Sequence, residues 1–146
     1  MLSALPRDYA AARSAFLQSC DSLGLVVEQH ECPVSGPAGE LLAIDVARLG
    51  ARNATKALFV ISGTHGLEGL AGSSCQVEWL AGSRPTTLPS DLAVVLIHLL
   101  NPWGCAWRRR QTEGNVDLNR NFLDYTEALP ANPGYDQFRE AVSSAD

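Results

Sequence analysis

The chain has 146 residues, of which 46% are hydrophobic and 18% charged, and it carries a formal net charge of -5. This size and composition predict one globular domain with a single core, and the acidic balance argues against a nucleic-acid-binding protein, which would need a basic stripe. No apolar run approaches the ~20 residues of a membrane-spanning helix, and the N-terminus lacks a signal-peptide pattern, so we expect no membrane contact.

The first predicted elements are one helix and two strands. Apolar residues at steps of three and four between Pro6 and Leu23 predict an amphipathic helix that Gly24 ends. Segments 25–32 and 41–49 are typical of strands, and the loop between them is rich in proline and glycine. We expect these two strands to be neighbours at a sheet edge.

A strand–helix–strand unit follows. The nearly continuous apolar runs 57–62 and 92–100 predict strands covered on both faces, with the helical pattern 67–80 between them. The sheet should therefore be mixed, with an antiparallel edge and a parallel centre, and ligands should bind beyond the carboxyl ends of its central strands. A last helix is predicted from about Tyr135.

His65 and Glu68 lie three residues apart, directly behind the first of these apolar strands, in a segment with glycine at positions 63, 66 and 69. At the start of a helix this spacing lets an imidazole and a carboxylate face one point, as two ligands of a zinc ion do. An ordinary glycine-rich turn with a first-turn carboxylate would have the same sequence. A catalytic zinc also needs three protein ligands, and no histidine follows His98.

Asn119 and Arg120 lie in a second polar segment, 115–122. An arginine fork can grip a carboxylate through two bonds while a neighbouring amide donates to an adjacent oxygen, so the pair could orient a substrate beside a metal. An ordinary salt bridge from Arg120 and a turn at Asn119 are the alternatives.

Three consecutive arginines, residues 108–110, follow the motif Asn101-Pro102-Trp103-Gly104. Such a run is most often a solvated surface. One arginine held in a dry pocket could instead polarise a scissile carbonyl and stabilise the resulting oxyanion, but spacing alone does not select it.

The other histidines and the cysteines give weaker signals. His30 and His98 fall in strand-like segments, where a histidine is more often packed and hydrogen-bonded than a ligand, so we leave both out of the metal site. The four cysteines stand far apart with no C-x-x-C pair, which fits reduced thiols in a cytoplasmic protein.

Segments 64–69, 101–104 and 116–122 together resemble the metallocarboxypeptidase superfamily (M14, zinc carboxypeptidase-like), and specifically its bacterial DUF2817 branch. The three motifs occur in the family's order, and the resemblance spans most of the chain. It implies an α/β fold, a three-layer sandwich around a mixed, largely parallel central sheet of eight strands.

The resemblance also implies a role for each candidate residue. His65 and Glu68 match two zinc ligands, and Asn119 and Arg120 match the pair that binds the terminal carboxylate of a substrate. Arg110 best matches the arginine that polarises the scissile carbonyl, and Arg109 is close enough to be the counterpart instead.

The chain departs from the family pattern at its end. In the family, the third zinc ligand and the general-base glutamate come from later strands, and those strands are missing here. We therefore expect residues 1–146 to be the N-terminal portion of a zinc carboxypeptidase-like domain that acts on an amide or peptide bond next to a free carboxylate. The alternative is a non-catalytic remnant or a carboxylate-binding module. A partial sheet would also expose an edge, through which we expect the chain to self-associate.

Overall fold

The helices and strands were located in a computed structural model, which describes residues 5–82, 87–128 and 130–143. Apart from α3, which was not predicted, they follow the order predicted from the sequence. In chain order they are α1 (Tyr9–Ser22), β1 (Val27–Ser35), β2 (Leu41–Gly50), β3 (Lys56–Ile61), α2 (Gly69–Ala81), β4 (Leu92–His98), α3 (Pro102–Trp107) and α4 (Pro133–Ser143). None of the helices in these ranges is both long and apolar enough to cross a bilayer.

Helix α1 forms as its sequence predicts. The Asp8 side chain caps its first turn by accepting a hydrogen bond of 2.8 Å from the Ala11 backbone N–H. The helix ends at Ser22, and Gly24 then adopts a left-handed conformation with φ of 64°. Its apolar stripe is buried, so α1 is a core helix.

The strands form one mixed sheet in the order β1-β2-β4-β3. Strand β2 pairs antiparallel with both β1 and β4, and β3 pairs parallel with β4. The predicted α/β fold with a mixed sheet is confirmed. The expectation of a largely parallel sheet is wrong for these four strands, because β4 lies between β2 and β3 and only one of the three pairings is parallel.

Helices α1 and α2 contact each other and cover one face of this sheet. The core between them and the sheet is built from Phe16, Cys20, Ala47, Leu49, Leu80, Val94 and Leu96. The paired residues Phe59 and Val95 belong to the opposite face, where Val95 is half-buried and Phe59 is 60% exposed. In the described ranges, the second helical layer of the expected sandwich is therefore not seen over these residues.

The prediction that both apolar strands are covered on their two faces is wrong for β3. Every residue of β3 is exposed, and its apolar side chains from Leu58 to Ile61 are between 36% and 60% exposed. In the described ranges β3 is the outer strand and pairs only with β4, and the core under α1 and α2 takes its strand residues from β2 and β4 instead of β3. Its apolar run is a surface of this chain, and an apolar groove of about 320 Å³ lies beside it against α2.

A polar cluster lies inside the core, between α1, α2 and the sheet. The Arg13 guanidinium donates two hydrogen bonds to the fully buried Asp45 carboxylate, at 2.7 and 3.0 Å. His98 is also fully buried, stacks on Phe16 and has its Nε2 2.9 Å from the Ser73 Oγ. Burial lowers the pKa of His98 to about 3, so this imidazole is neutral near pH 7.

The two strand histidines thus differ. His98 is packed and hydrogen-bonded, as the sequence predicts. His30 lies on the edge strand β1, where its half-exposed ring is 3.2 Å from the Glu28 carboxylate.

We predict that the free edge of β3 causes the chain to self-associate, because an exposed apolar edge strand offers unpaired backbone to another chain. Sedimentation velocity of the wild-type chain should show concentration-dependent association. A Phe59→Glu variant should shift it towards monomer, since it places a charge on that edge. Phe122→Glu is the matched control, because Phe122 is also exposed but does not belong to a strand. A wild-type monomer at all concentrations, or equal effects of the two variants, would contradict the prediction.

Candidate metal and substrate site

The candidate site lies where β3 and β4 end. These strands are parallel, so their carboxyl ends meet at one edge of the sheet, as expected for a ligand site. The segment after β3 is fastened to the segment after β4 by two backbone bonds of 2.9 Å, from the Leu100 N–H to Ser62 O and from the Asn101 N–H to Gly63 O. The turn that carries His65 is therefore fixed relative to the start of α3.

Glycine is required at Gly66, in this turn. A Cβ built there would clash with the backbone of Gly104 and Cys105 in α3. The close approach places the short 3-10 helix Gly66–Glu68 directly against α3. The turn that brings His65 and Glu68 together is thus packed rather than free in solvent.

The two predicted metal ligands face each other. The His65 Nδ1 lies 3.4 Å from the Glu68 Oε2. The His65 ring is only 11% exposed, whereas the Glu68 side chain is 70% exposed. Both groups therefore border one point that remains open to solvent.

Asp117 holds the other side of the His65 ring. Its Oδ1 lies 3.0 Å from the His65 Nε2, and its Oδ2 accepts a hydrogen bond of 3.0 Å from the Arg110 Nε. Desolvation raises the pKa of Asp117, but the hydrogen bonds from Arg110, His65 and the Asn119 backbone N–H outweigh it, so the pKa lies below its usual value. Asp117 is thus a carboxylate that orients an imidazole from behind.

The role of Asp117 was not predicted from the sequence. The residue lies inside the polar segment that was recognised, two positions before Asn119, so the motif itself contained the signal. Its contact with His65 joins residues 52 positions apart, which no local spacing could show.

Arg110 is the arginine of the run that reaches this cluster. Besides its bond to Asp117, its Nη1 lies 3.9 Å from the Glu68 Oε1, and its side chain is 44% exposed. Arg109 instead lines a separate groove with Trp103 and Glu113. Arg108 ends α3 in a left-handed conformation with φ of 55°.

Asn119 and Arg120 lie close to the cluster in sequence but are exposed. They belong to the short 3-10 helix Leu118–Arg120, which Asp117 caps by accepting a bond of 2.9 Å from the Asn119 N–H. The Arg120 Nη1 donates to the Asn119 carbonyl at 3.0 Å. Within the described ranges, no hydrogen bond or ion pair joins either side chain to His65 or Glu68. The structure thus brings together His65, Glu68, Asp117 and Arg110, and the pair Asn119 and Arg120 lies beside this cluster.

The donor set fits two ligands of a zinc ion. An imidazole and a carboxylate are groups that zinc prefers, and a carboxylate on the second ring nitrogen is typical of metal-binding histidines. In residues 5–82, 87–128 and 130–143, however, no group of three or more His, Cys, Asp or Glu side chains could hold a metal. A complete zinc shell would need at least one ligand from elsewhere.

Comparison with solved structures shows likeness in fold. The chain is similar to the crystal structure of thrombin activatable fibrinolysis inhibitor, with 16% identity, a TM-score of 0.50, and coverage of 81% of this chain and 34% of that one. Glutaminyl cyclase from Fimbriiglobus ruber matches with 14% identity, a TM-score of 0.44, and coverage of 60% and 36%. Glutaminyl cyclase from Macrostomum lignano matches with 16% identity, a TM-score of 0.44, and coverage of 66% of this chain and 33% of that one. The chain spans about a third of the length of these proteins.

Comparison with protein families gives a match along nearly the whole chain. The model described as "Protein of unknown function (DUF2817)" matches residues 6–146. No curated protein matches the sequence.

Proposed function

This chain belongs to the DUF2817 family, and we propose that it forms part of a zinc-dependent hydrolase of the metallocarboxypeptidase (M14) type. The proposed reaction is cleavage of an amide or peptide bond next to a free carboxylate. The observation that carries the proposal is the contact of His65 with both Glu68 and Asp117, because a histidine oriented by one carboxylate and facing another is a typical half of a zinc site. The carboxypeptidase-like fold supports it.

Each residue of the cluster has a proposed role. His65 and Glu68 would hold the zinc ion, which when bound supplies a Lewis acid for the scissile carbonyl and for water. Asp117 keeps the His65 ring in orientation. Arg110 donates to the oxyanion that develops on the substrate.

Asn119 and Arg120 are proposed to bind the free carboxylate of the substrate. Their exposure supports this role, because the Arg120 guanidinium is accessible to a ligand. The third metal ligand and the general base would come from outside the described residues. We accordingly propose that the chain is the N-terminal portion of such a domain.

A non-catalytic carboxylate-binding module is the second candidate function. It is favoured by the finding that no group of three His, Cys, Asp or Glu side chains among the described residues could hold a metal, since Asn119 and Arg120 could hold a carboxylate without one. Binding of a carboxylate that needs Arg120 but is indifferent to chelators would support this function over hydrolysis.

A cytoplasmic location is proposed as well, and the cysteines support it. All four are free thiols in the structure. Burial raises the pKa of both Cys20 and Cys105 to about 11, so these two are unreactive near pH 7. They fit a reducing compartment.

We predict weak zinc binding by this chain that depends on His65. Two ligands hold zinc loosely, so calorimetry should give a dissociation constant above the micromolar range, and His65→Ala should abolish the binding. Asp117→Asn should weaken it by about 10-fold to 100-fold, because it removes the carboxylate that orients the ring. His30→Ala is the matched control, since His30 also lies beside a carboxylate but on the distant strand β1. Submicromolar, stoichiometric binding that survives His65→Ala would show that the metal site lies elsewhere.

A further inference from the structure

Asn101 is buried at the junction between the His65 turn and the Arg110 loop. The residue is 2% exposed and lies three positions after the end of β4, at the N-cap of α3. The motif Asn101-Pro102-Trp103-Gly104 was part of the family resemblance, but the proposed function gives none of its residues a role.

Both ends of the Asn101 side chain are hydrogen-bonded. Its Oδ1 accepts a bond of 2.8 Å from the Gly104 N–H and so caps α3. Its Nδ2 donates to the carbonyls of Arg110, at 3.3 Å, and Gln111, at 2.9 Å. The Asn101 backbone N–H meanwhile donates to Gly63 O, two residues before His65. One residue thus connects the segment that carries the metal ligands with the segment that carries the arginine.

We propose that Asn101 is a positioning residue that holds the Arg110 guanidinium against Asp117 and Glu68 by anchoring the Arg110 backbone. The catalytic meaning of this role rests on the proposed function, whereas the anchoring itself does not. The residue type supports the inference, because a cap alone is served equally well by aspartate or serine. Only an amide both accepts from Gly104 and donates to the two loop carbonyls.

Among the described residues, one further backbone bond joins the loop to α3, from the Arg109 N–H to Gly104 O at 2.8 Å. Two others lie within the loop, from the Thr112 N–H to Val116 O at 3.0 Å and from the Asn115 N–H to Thr112 O at 2.9 Å. Both Arg108 and Asn115 have φ values near 60°, in the left-handed region that side chains other than glycine adopt at a cost. Loss of the Asn101 bonds would let this strained loop relax and move Arg110 away from the cluster.

Asn101→Asp is the decisive variant. It keeps the acceptor that caps α3, removes the donor, and turns a carboxylate towards two carbonyl oxygens. Hydrogen exchange of the Arg110 side-chain Nε–H, followed by NMR at mildly acidic pH, measures the bond to Asp117 directly. We expect exchange about tenfold faster than in the wild type, with the Gly104 N–H still protected. The exposed Asn53→Asp, which adds the same charge in a distant turn, should change neither signal.

A second variant keeps the test decisive if the aspartate prevents folding. Asn101→Ser retains a short capping oxygen without adding a charge, and its hydroxyl is too short to reach the loop. Wild-type protection of the Arg110 Nε–H in either folded variant would overturn the proposal. This measurement needs neither metal nor substrate, so it stands even if no hydrolysis is found.

Kinetics would test the catalytic meaning separately, in a form of the protein that hydrolyses its substrate. Asn101→Asp should lower kcat with little change in KM, and adding it to Arg110→Ala should cause no further loss, because both act through one guanidinium. Additive losses in the double variant would show that Asn101 acts independently of Arg110 and would overturn this part of the proposal.

Discussion

Replacing Asp45 with asparagine should lower the free energy of unfolding by about 3–5 kcal/mol, because it leaves a guanidinium in the core without its counter-charge. Asp45 is fully buried and the Arg13 side chain is only 17% exposed, so water can do little to replace the lost carboxylate. His98 cannot take over from Asp45 either, because an imidazole is neutral or positively charged and so supplies no counter-charge to the Arg13 guanidinium.

Asp91→Asn is the matched control for this substitution. The Lys56–Asp91 pair has the same separation of 2.7 Å, but its side chains are 70% and 49% exposed. Its loss should cost at most about 1 kcal/mol. Urea unfolding at equal protein concentrations measures both variants, with stability read from the midpoint when the slope is unchanged. Similar midpoints for the two variants would mean that the buried pair contributes no more than the exposed one.

Arg110→Ala should lower both kcat and kcat/KM by about 100-fold to 1000-fold, in a form of the protein that carries the third zinc ligand and the general base. The reason is that Arg110 is proposed to donate to charge that exists only in the transition state. Arg120→Ala should instead chiefly raise KM and weaken the preference for substrates with a free carboxylate, because its proposed bonds are made in the bound substrate as well.

Arg109→Ala is the natural control for this comparison, since Arg109 is the adjacent arginine and lines a different groove. If Arg109→Ala abolishes activity and Arg110→Ala does not, the choice within the run is wrong. If neither substitution matters while Arg120→Ala prevents carboxylate binding, the binding-module function becomes the better description.

Local sequence features determined most of the secondary structure. The steps of three and four in α1, with Asp8 and Gly24 at its ends, needed only neighbouring residues to be recognised. The same holds for the unit β3-α2-β4, because length and composition distinguish its strands from its helix. Strand order was different. An apolar run such as Leu58–Ile61 shows that a strand can be buried, but it is exposed here because β3 is the outer strand and the helices form their core with β2 and β4.

The candidate site also has one part that local sequence determined and another that depends on tertiary packing. The sequence by itself determined the His65–Glu68 pair, since three residues in one turn fix how far apart two side chains can lie. Only the tertiary structure decided that Arg110 rather than Arg109 lies beside this pair, that Asp117 contacts the His65 ring, and that Asn101 anchors the loop between them. These contacts join separate segments of the chain, and they exist because α3 packs against the turn after β3. Spacing along the chain carries no information about such packing.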